Sequence, residues 1–207
     1  MKALYEFIGT FFLVLTVGLT VLNPHSAAIL APLAIGSALA VMVYAGGHVS
    51  GGHYNPAVTL AVFLRGKIKL EEVWVYWASQ LAAAVAAAYI ALYLKGTGAE
   101  SPLQLDAPKA LLAEFLFTFA LCFVVLNVAT AKATANNSYF GFAIGFTVLV
   151  GAYAAGAISG GAFNPAVALG AAVMNLVHWQ HLWVFVLANL LGGAAAAFVF
   201  KASHPAE

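Results

Sequence analysis

The sequence predicts an all-α membrane protein, with six spanning helices and two short re-entrant half-helices arranged as an inverted internal repeat. Three observations carry that expectation. Charged residues make up only 7% of the 207-residue chain and hydrophobic residues 64%, whereas a soluble domain carries roughly 25% charge to face water. Six long apolar runs recur, and the chain matches itself when displaced by 109 residues.

The runs lie at roughly 7–23, 27–47, 73–94, 110–131, 139–158 and 182–200, each near the ~20 residues that cross a hydrocarbon core as helix. They are rich in Ala and Leu and lack the short alternating pattern of a spanning barrel. Lys2 before the first run resembles the start of a secretory signal, but the run is too long and Glu6 interrupts it. Cys122, the single cysteine, reads as a small packing residue.

Threading six spans with both termini on one side puts Lys2, Arg65, Lys67, Lys69, Lys132 and Lys201 there, and Lys95 and Lys109 on the other. That asymmetry predicts cytoplasmic termini. The short loops suit a prokaryotic inner membrane. A net charge of +1 offers no basic surface for nucleic acid.

Under the 109-residue displacement, Gly36 meets Gly145, Ser50-Gly51-Gly52 meets Ser159-Gly160-Gly161, and Asn55-Pro56-Ala57-Val58 meets Asn164-Pro165-Ala166-Val167. Gln80 meets Asn189, and Glu6 meets Glu114 one residue out of register. The chain is thus expected to be one channel domain, 1–207, of two repeats at about 1–95 and 109–201 joined by an extracellular loop, 96–108. Three spans per repeat is an odd number, so the second repeat starts on the other side of the bilayer and the two are inverted. Such repeats place functional elements at their interface near the midplane, often in broken helices.

Paired glycines followed by Asn-Pro predict non-helical breaks at 48–54 and 156–163. Pro at a helix's first position with Asn before it is a start signal, so half-helices are expected at about 56–64 and 165–173. At ~13 Å each they are too short to span alone but nearly span end to end. Their amino ends would meet mid-membrane, each carrying roughly half a positive charge that repels a cation. Asn55 and Asn164, as caps, would keep amide hydrogens free for a water or hydroxyl oxygen in a lumen. Carbonyls of Gly51, Gly52, His53, Gly160, Gly161 and Ala162 would line the approaches, since non-helical backbone at this depth needs a wet cavity or protein around it.

These motifs resemble those of the aquaporins, or major intrinsic proteins, over essentially the whole chain. His48-Val-Ser-Gly-Gly-His-Tyr-Asn-Pro-Ala-Val-Thr59 is similar to the family's first signature. Ile158-Ser-Gly-Gly-Ala-Phe-Asn-Pro-Ala-Val167 is similar to the second except at its last position. The resemblance implies six tilted helices and two half-helices around one pore, and a homotetramer of such protomers. It also implies that Glu6 and Glu114 accept hydrogen bonds from the re-entrant loops, which suits acids that are costly within a span unless partnered. Glu6 has the further reading of an acid solvated near a helix end. His48 is expected to brace the loop or face the cytoplasmic vestibule, and His53 to contribute its carbonyl.

The sequence departs from the family at the selectivity constriction. Water-specific members place an aromatic, a histidine, a small residue and an arginine there, and the matching positions here are Ile35, Ala152, Gly161 and Val167. A slip of one residue would put Gly151 or Tyr153 in place of Ala152. A wider, more apolar filter is implied, as in plant vacuolar members with Val at that position, which pass ammonia, urea or hydrogen peroxide besides water. Glycerol facilitators carry an acid where Ala168 stands, which favours the water branch and leaves a polyol facilitator as the alternative.

A secondary active transporter would also use inverted repeats, but it needs an ionisable group at its substrate site, and both acids within spans match scaffold positions. No nucleophile–base pair suggests an enzyme. No cofactor or metal is expected, the His178/His181 pair at a membrane edge having no further ligand. The expected partners are water, small neutral solutes and the lipid bilayer.

Overall fold

A computed structural model describes residues 1–24 and 28–205. Among them are eight α-helices: α1 (Lys2–Val21), α2 (Ala31–Ser50), α3 (Pro56–Leu64), α4 (Leu70–Lys95), α5 (Ala107–Ala129), α6 (Phe140–Ser159), α7 (Pro165–Val173) and α8 (Leu182–Ser203). Six are long and apolar enough to cross a membrane, whereas α3 and α7 have nine residues each. The fold class expected from the sequence is the one observed.

Several bounds differ from those read off hydropathy. Helix α1 begins at Lys2 and contains Glu6, which is fully buried and so does not end the apolar segment. The expected start of the second run, residue 27, lies outside the described residues. Helix α5 starts three residues early because Asp106 caps it, its carboxylate accepting from the Lys109 N–H at 3.3 Å, with a proline in the first turn.

The breaks are shorter than expected. Residues 48–50 and 156–159 are helical, and α2 and α6 persist through Ser50 and Ser159. Gly51 and Gly160 both adopt φ +91° and still donate their N–H back into the helix, to Gly47 O at 3.0 Å and Gly156 O at 2.9 Å. The glycines thus end each helix in the left-handed conformation that suits a residue without Cβ, rather than breaking it earlier.

Pairing follows the repeat: α1 packs on α4, α5 on α8, and α2 crosses α6. At that crossing Gly36 and Gly145 face each other. A Cβ on Gly36 would come within 2.7 Å of the Gly145 carbonyl, and one on Gly145 would collide with the Gly36 carbonyl. The Ala-rich face of α4 and the Gly192–Gly193 turn of α8 are buried inside the protomer, Gly193 lying over the Ala57 carbonyl. Small residues here let helices of one chain approach closely.

The start of α1 and the end of α8 lie on one face. Lys2 Nζ pairs with Glu72 Oε1 at 2.8 Å at the start of α4, and the Arg65 guanidinium lies 4.8 Å from the centroid of the Phe200 ring. On the opposite face the segment between α4 and α5 is tied to the end of α7. Ala99 N–H donates to Met174 O at 3.1 Å, Leu103 N–H to Leu176 O at 2.9 Å, and Asn175 Nδ2 to Ala99 O at 2.8 Å.

Candidate pore

Each break is held by one buried carboxylate. Glu6 Oε1 accepts from Ser50 Oγ at 2.7 Å and His53 N–H at 2.9 Å, and its Oε2 from Tyr54 N–H at 2.7 Å and Gln80 Nε2 at 2.8 Å. Glu114 repeats the set with Ser159 Oγ at 2.7 Å, Ala162 N–H at 2.9 Å, Phe163 N–H at 2.7 Å and Asn189 Nδ2 at 2.9 Å. Both acids are 0% exposed, so Glu6 is not the solvated helix-end acid that was its other reading. The bonds meet a real cost, because Tyr54 and Phe163 sit at φ +50° and +48°, a conformation worth roughly 1–2 kcal/mol against a residue with a side chain.

His48 does not brace the loop. It lies on the last turn of α2, exposed, with its ring edge toward Tyr5. The bracing falls to Ser50, whose Oγ also accepts from Gly52 N–H at 3.1 Å, and to Tyr76, whose hydroxyl donates to Ser50 O at 2.7 Å. The helix continuing to Ser50 is what carries His48 outward.

The half-helices meet at their amino ends. Asn55 Oδ1 accepts from Ala57 N–H at 2.8 Å and Asn164 Oδ1 from Ala166 N–H at 2.9 Å, the capping geometry that Asn before Pro suggests. The Asn55 amide then donates to the Phe163 carbonyl at 2.8 Å, and the Asn164 amide to the Tyr54 carbonyl at 2.9 Å. One of the two hydrogens on each amide is therefore spent in tying the repeats together. One per amide is left at the cavity wall, where the sequence alone suggested both.

A cavity of about 380 Å³ runs past this junction, lined by both asparagines. Ile35, Ala152, Gly161 and Val167 all stand on its wall, as do Gly52, His53, Gly160 and Ala162. Gly51 lines a second cavity of about 290 Å³ on the terminal face, with Lys2, Lys67, His53 and Val125. Of residues 151–153 only Ala152 reaches the larger cavity. Gly151 packs against the Phe163 ring, and the Tyr153 hydroxyl donates to Ile29 O at 2.8 Å.

Much of the wall was not picked out from the sequence. Leu13, Val17 and Val21 on α1, Leu39 beside the expected Ile35 on α2, Leu121 and Val125 on α5, and Ile144, Val148 and Gly156 beside the expected Ala152 on α6 line the lumen as i, i+4 stripes. The signal was present, since such spacing marks one helix face and these stripes recur between repeats. Leu103 and Phe185 also reach the mouth on the opposite face, through the tied segment 96–106 and the start of α8. Nor was the His53 ring anticipated as a fixed wall: its Nδ1 lies 3.1 Å from Thr59 Oγ1. Among the described residues no cluster of three metal-ligating side chains occurs; His178 and His181 face each other at 6.0 Å between ring centroids.

The family model for the major intrinsic proteins matches residues 1–200. The chain belongs to the major intrinsic protein family. It is 36% identical over 206 residues to "Glycerol uptake facilitator protein-like 6" of Lactiplantibacillus plantarum, covering 95% of each. It is 35% identical to "Aquaporin NIP1-4" of Oryza sativa subsp. japonica, over 96% of this chain and 75% of that one. With "Aquaporin TIP1-2" of Zea mays the identity is 37%, over 83% and 69%. Its fold is similar to that in the X-ray structure of the aquaglyceroporin from Plasmodium falciparum, with a TM-score of 0.79 at 20% identity over 97% of this chain and 94% of that one. As a major intrinsic protein the chain is an integral membrane protein of a family of passive channels, not enzymes.

Proposed function

We propose that this major intrinsic protein conducts water and small neutral solutes such as ammonia, urea or hydrogen peroxide down their gradients, while excluding ions and protons. The observation that carries the reading is that Asn55 and Asn164 cap two facing helix amino ends on the wall of one lumen. The facing dipoles repel a cation. A water accepting the remaining amide hydrogens turns its own hydrogens away from the junction, so a relay of protons through a single file loses its donor order. Carbonyls of Gly51, Gly52, His53, Gly160, Gly161 and Ala162 supply acceptors along an otherwise apolar wall.

Ile35, Ala152, Gly161 and Val167 form a filter without a charge or an aromatic ring, which supports passage of solutes larger than water. Gly161 contributes no side chain to this wall, and a Cβ there would come within 3.2 Å of Ala152 Cα. The same width supports a second reading, a glycerol facilitator, which the name of the Lactiplantibacillus plantarum relative also suggests. The basic residues on the terminal face support cytoplasmic termini and a loop at 96–108 on the other side; three spans per repeat support inverted repeats, and the short loops suit a prokaryotic inner membrane. A homotetramer is proposed from family membership.

Stopped-flow light scattering on reconstituted vesicles, comparing water, urea and glycerol gradients, tests the reading. Water flux above protein-free vesicles, with urea flux above background, is expected; water flux alone would remove the broad filter and keep the channel. Val167→Arg is expected to lower solute flux more than water flux. Equal loss of both would move the filter elsewhere.

A further inference from the structure

The two cavities share two lining residues, His53 and Val125. The larger one is lined by Leu103 and Phe185 at the mouth on the opposite face, by Ile35, Ala152 and Val167, by both asparagines and by His53. The two cavities adjoin at a neck where His53, on the break before α3, and Val125, on α5, line both. We infer that this neck, rather than the ring of four residues at the opposite mouth, sets the largest solute that the channel passes.

The ring is a rigid wall. His53 N–H is bonded to Glu6 at 2.9 Å, and Nδ1 lies 3.1 Å from Thr59 Oγ1. That hydroxyl donates to the Asn55 carbonyl at 3.1 Å and accepts from Gln80 Nε2 at 3.0 Å, so its remaining lone pair takes the Nδ1 hydrogen. Nε2 is then the bare nitrogen, an acceptor. It is turned toward Gly51 on the wall of the second cavity, where a Cβ would come within 3.0 Å of it. Tyr76 closes the ring's other side, 5.1 Å between centroids. A solute at the neck thus meets one fixed acceptor and one apolar side chain, after meeting donors at the asparagines. Small hydrogen-bond donors such as water, ammonia and urea fit that sequence of groups, and bulk at the neck is what excludes larger polyols. The pseudo-equivalent of His53 is Ala162, which explains why the opposite half stays open.

The inference rests on the channel reading, and vesicle flux separates the two. Water permeability of the wild type reports the channel; the rank of solute permeability among variants reports the neck. Val125→Ala is expected to raise glycerol permeability about tenfold, the scale of discrimination that a methylene-sized change carries in a tight apolar site. Val125→Phe should bring it to background, and Val167→Ala should raise it less than Val125→Ala does. His53→Ala is expected to act as Val125→Ala does; Val125 variants decide the matter if loss of the imidazole impairs folding. If the wild type excludes glycerol, Val125→Ala should admit it and Val167→Ala should not. A larger gain from Val167→Ala than from Val125→Ala, or no change in Val125→Ala with water flux intact, would overturn the inference.

Discussion

The two repeats hold their re-entrant loops with the same four bonds and fill them with different side chains. Ser, two consecutive backbone N–H groups and one amide converge on Glu6 in the first repeat and on Glu114 in the second, with corresponding distances agreeing to 0.1 Å. Around that shared frame, His53 and Thr59 of the first repeat stand where Ala162 and Ala168 stand in the second. The frame fixes the left-handed residues and aims the half-helices. On the proposed reading, the side chains around it set the width of each half. Scaffold is thus carried by the groups bonded to the two carboxylates, and on the proposed reading selectivity is carried by side chains such as that of His53, whose N–H belongs to the frame.

The largest effect is expected from breaking the frame. Glu114→Ala removes the acceptor shared by four donors, at about 1–3 kcal/mol for each one left unpaired, a sum comparable to the 5–15 kcal/mol that holds a typical domain together. Both Glu114→Ala and Glu6→Ala should therefore lose monodisperse protein in detergent, as size-exclusion chromatography would read. Survival of one and not the other would break the equivalence of the repeats. A smaller effect is expected at the α2–α6 crossing. Gly145→Ala drives a methyl into the Gly36 carbonyl and should cost about 1–3 kcal/mol as overpacking, visible as a lowered unfolding temperature.

The smallest test concerns a place where the frames diverge. Gln80 Nε2 reaches Thr59 on the half-helix at 3.0 Å, whereas the shorter Asn189 reaches Thr118 on α5 at 2.9 Å. Ala168 occupies the position equivalent to Thr59. Asn189→Gln alone should destabilise by about 1 kcal/mol through a lost hydroxyl partner. Adding Ala168→Thr should restore most of it by rebuilding the first repeat's arrangement. A double-mutant cycle with no coupling would show that amide length is not what selects the partner.

Which parts of this were legible in the sequence follows from how local the physics is. Asn-Pro is a cap and a start in adjacent residues, and the half-helices fall at Pro56–Leu64 and Pro165–Val173, as expected. An acid in an apolar run demands partners, so Glu6 and Glu114 stood out. The breaks were expected too early, because a glycine pair was read as excluding helix when Gly51 and Gly160 terminate it instead. That same error put His48 in the loop. The lumen wall stayed hidden for a different reason. In a membrane protein the lipid face, the core and this pore are all apolar, so Val125 in the lumen and Leu112 on the exposed surface of the same helix look alike in hydropathy. Only spacing matched between repeats distinguishes the lumen stripe.

Water permeability and proton flux measured on the same reconstituted vesicles, the latter with an internal pH dye under an imposed potential, test the facing half-helix tips most directly. Water flux well above that of protein-free vesicles with proton flux at their level is the expected result. Absence of water flux, or a proton current that rises with the amount of protein, would contradict it.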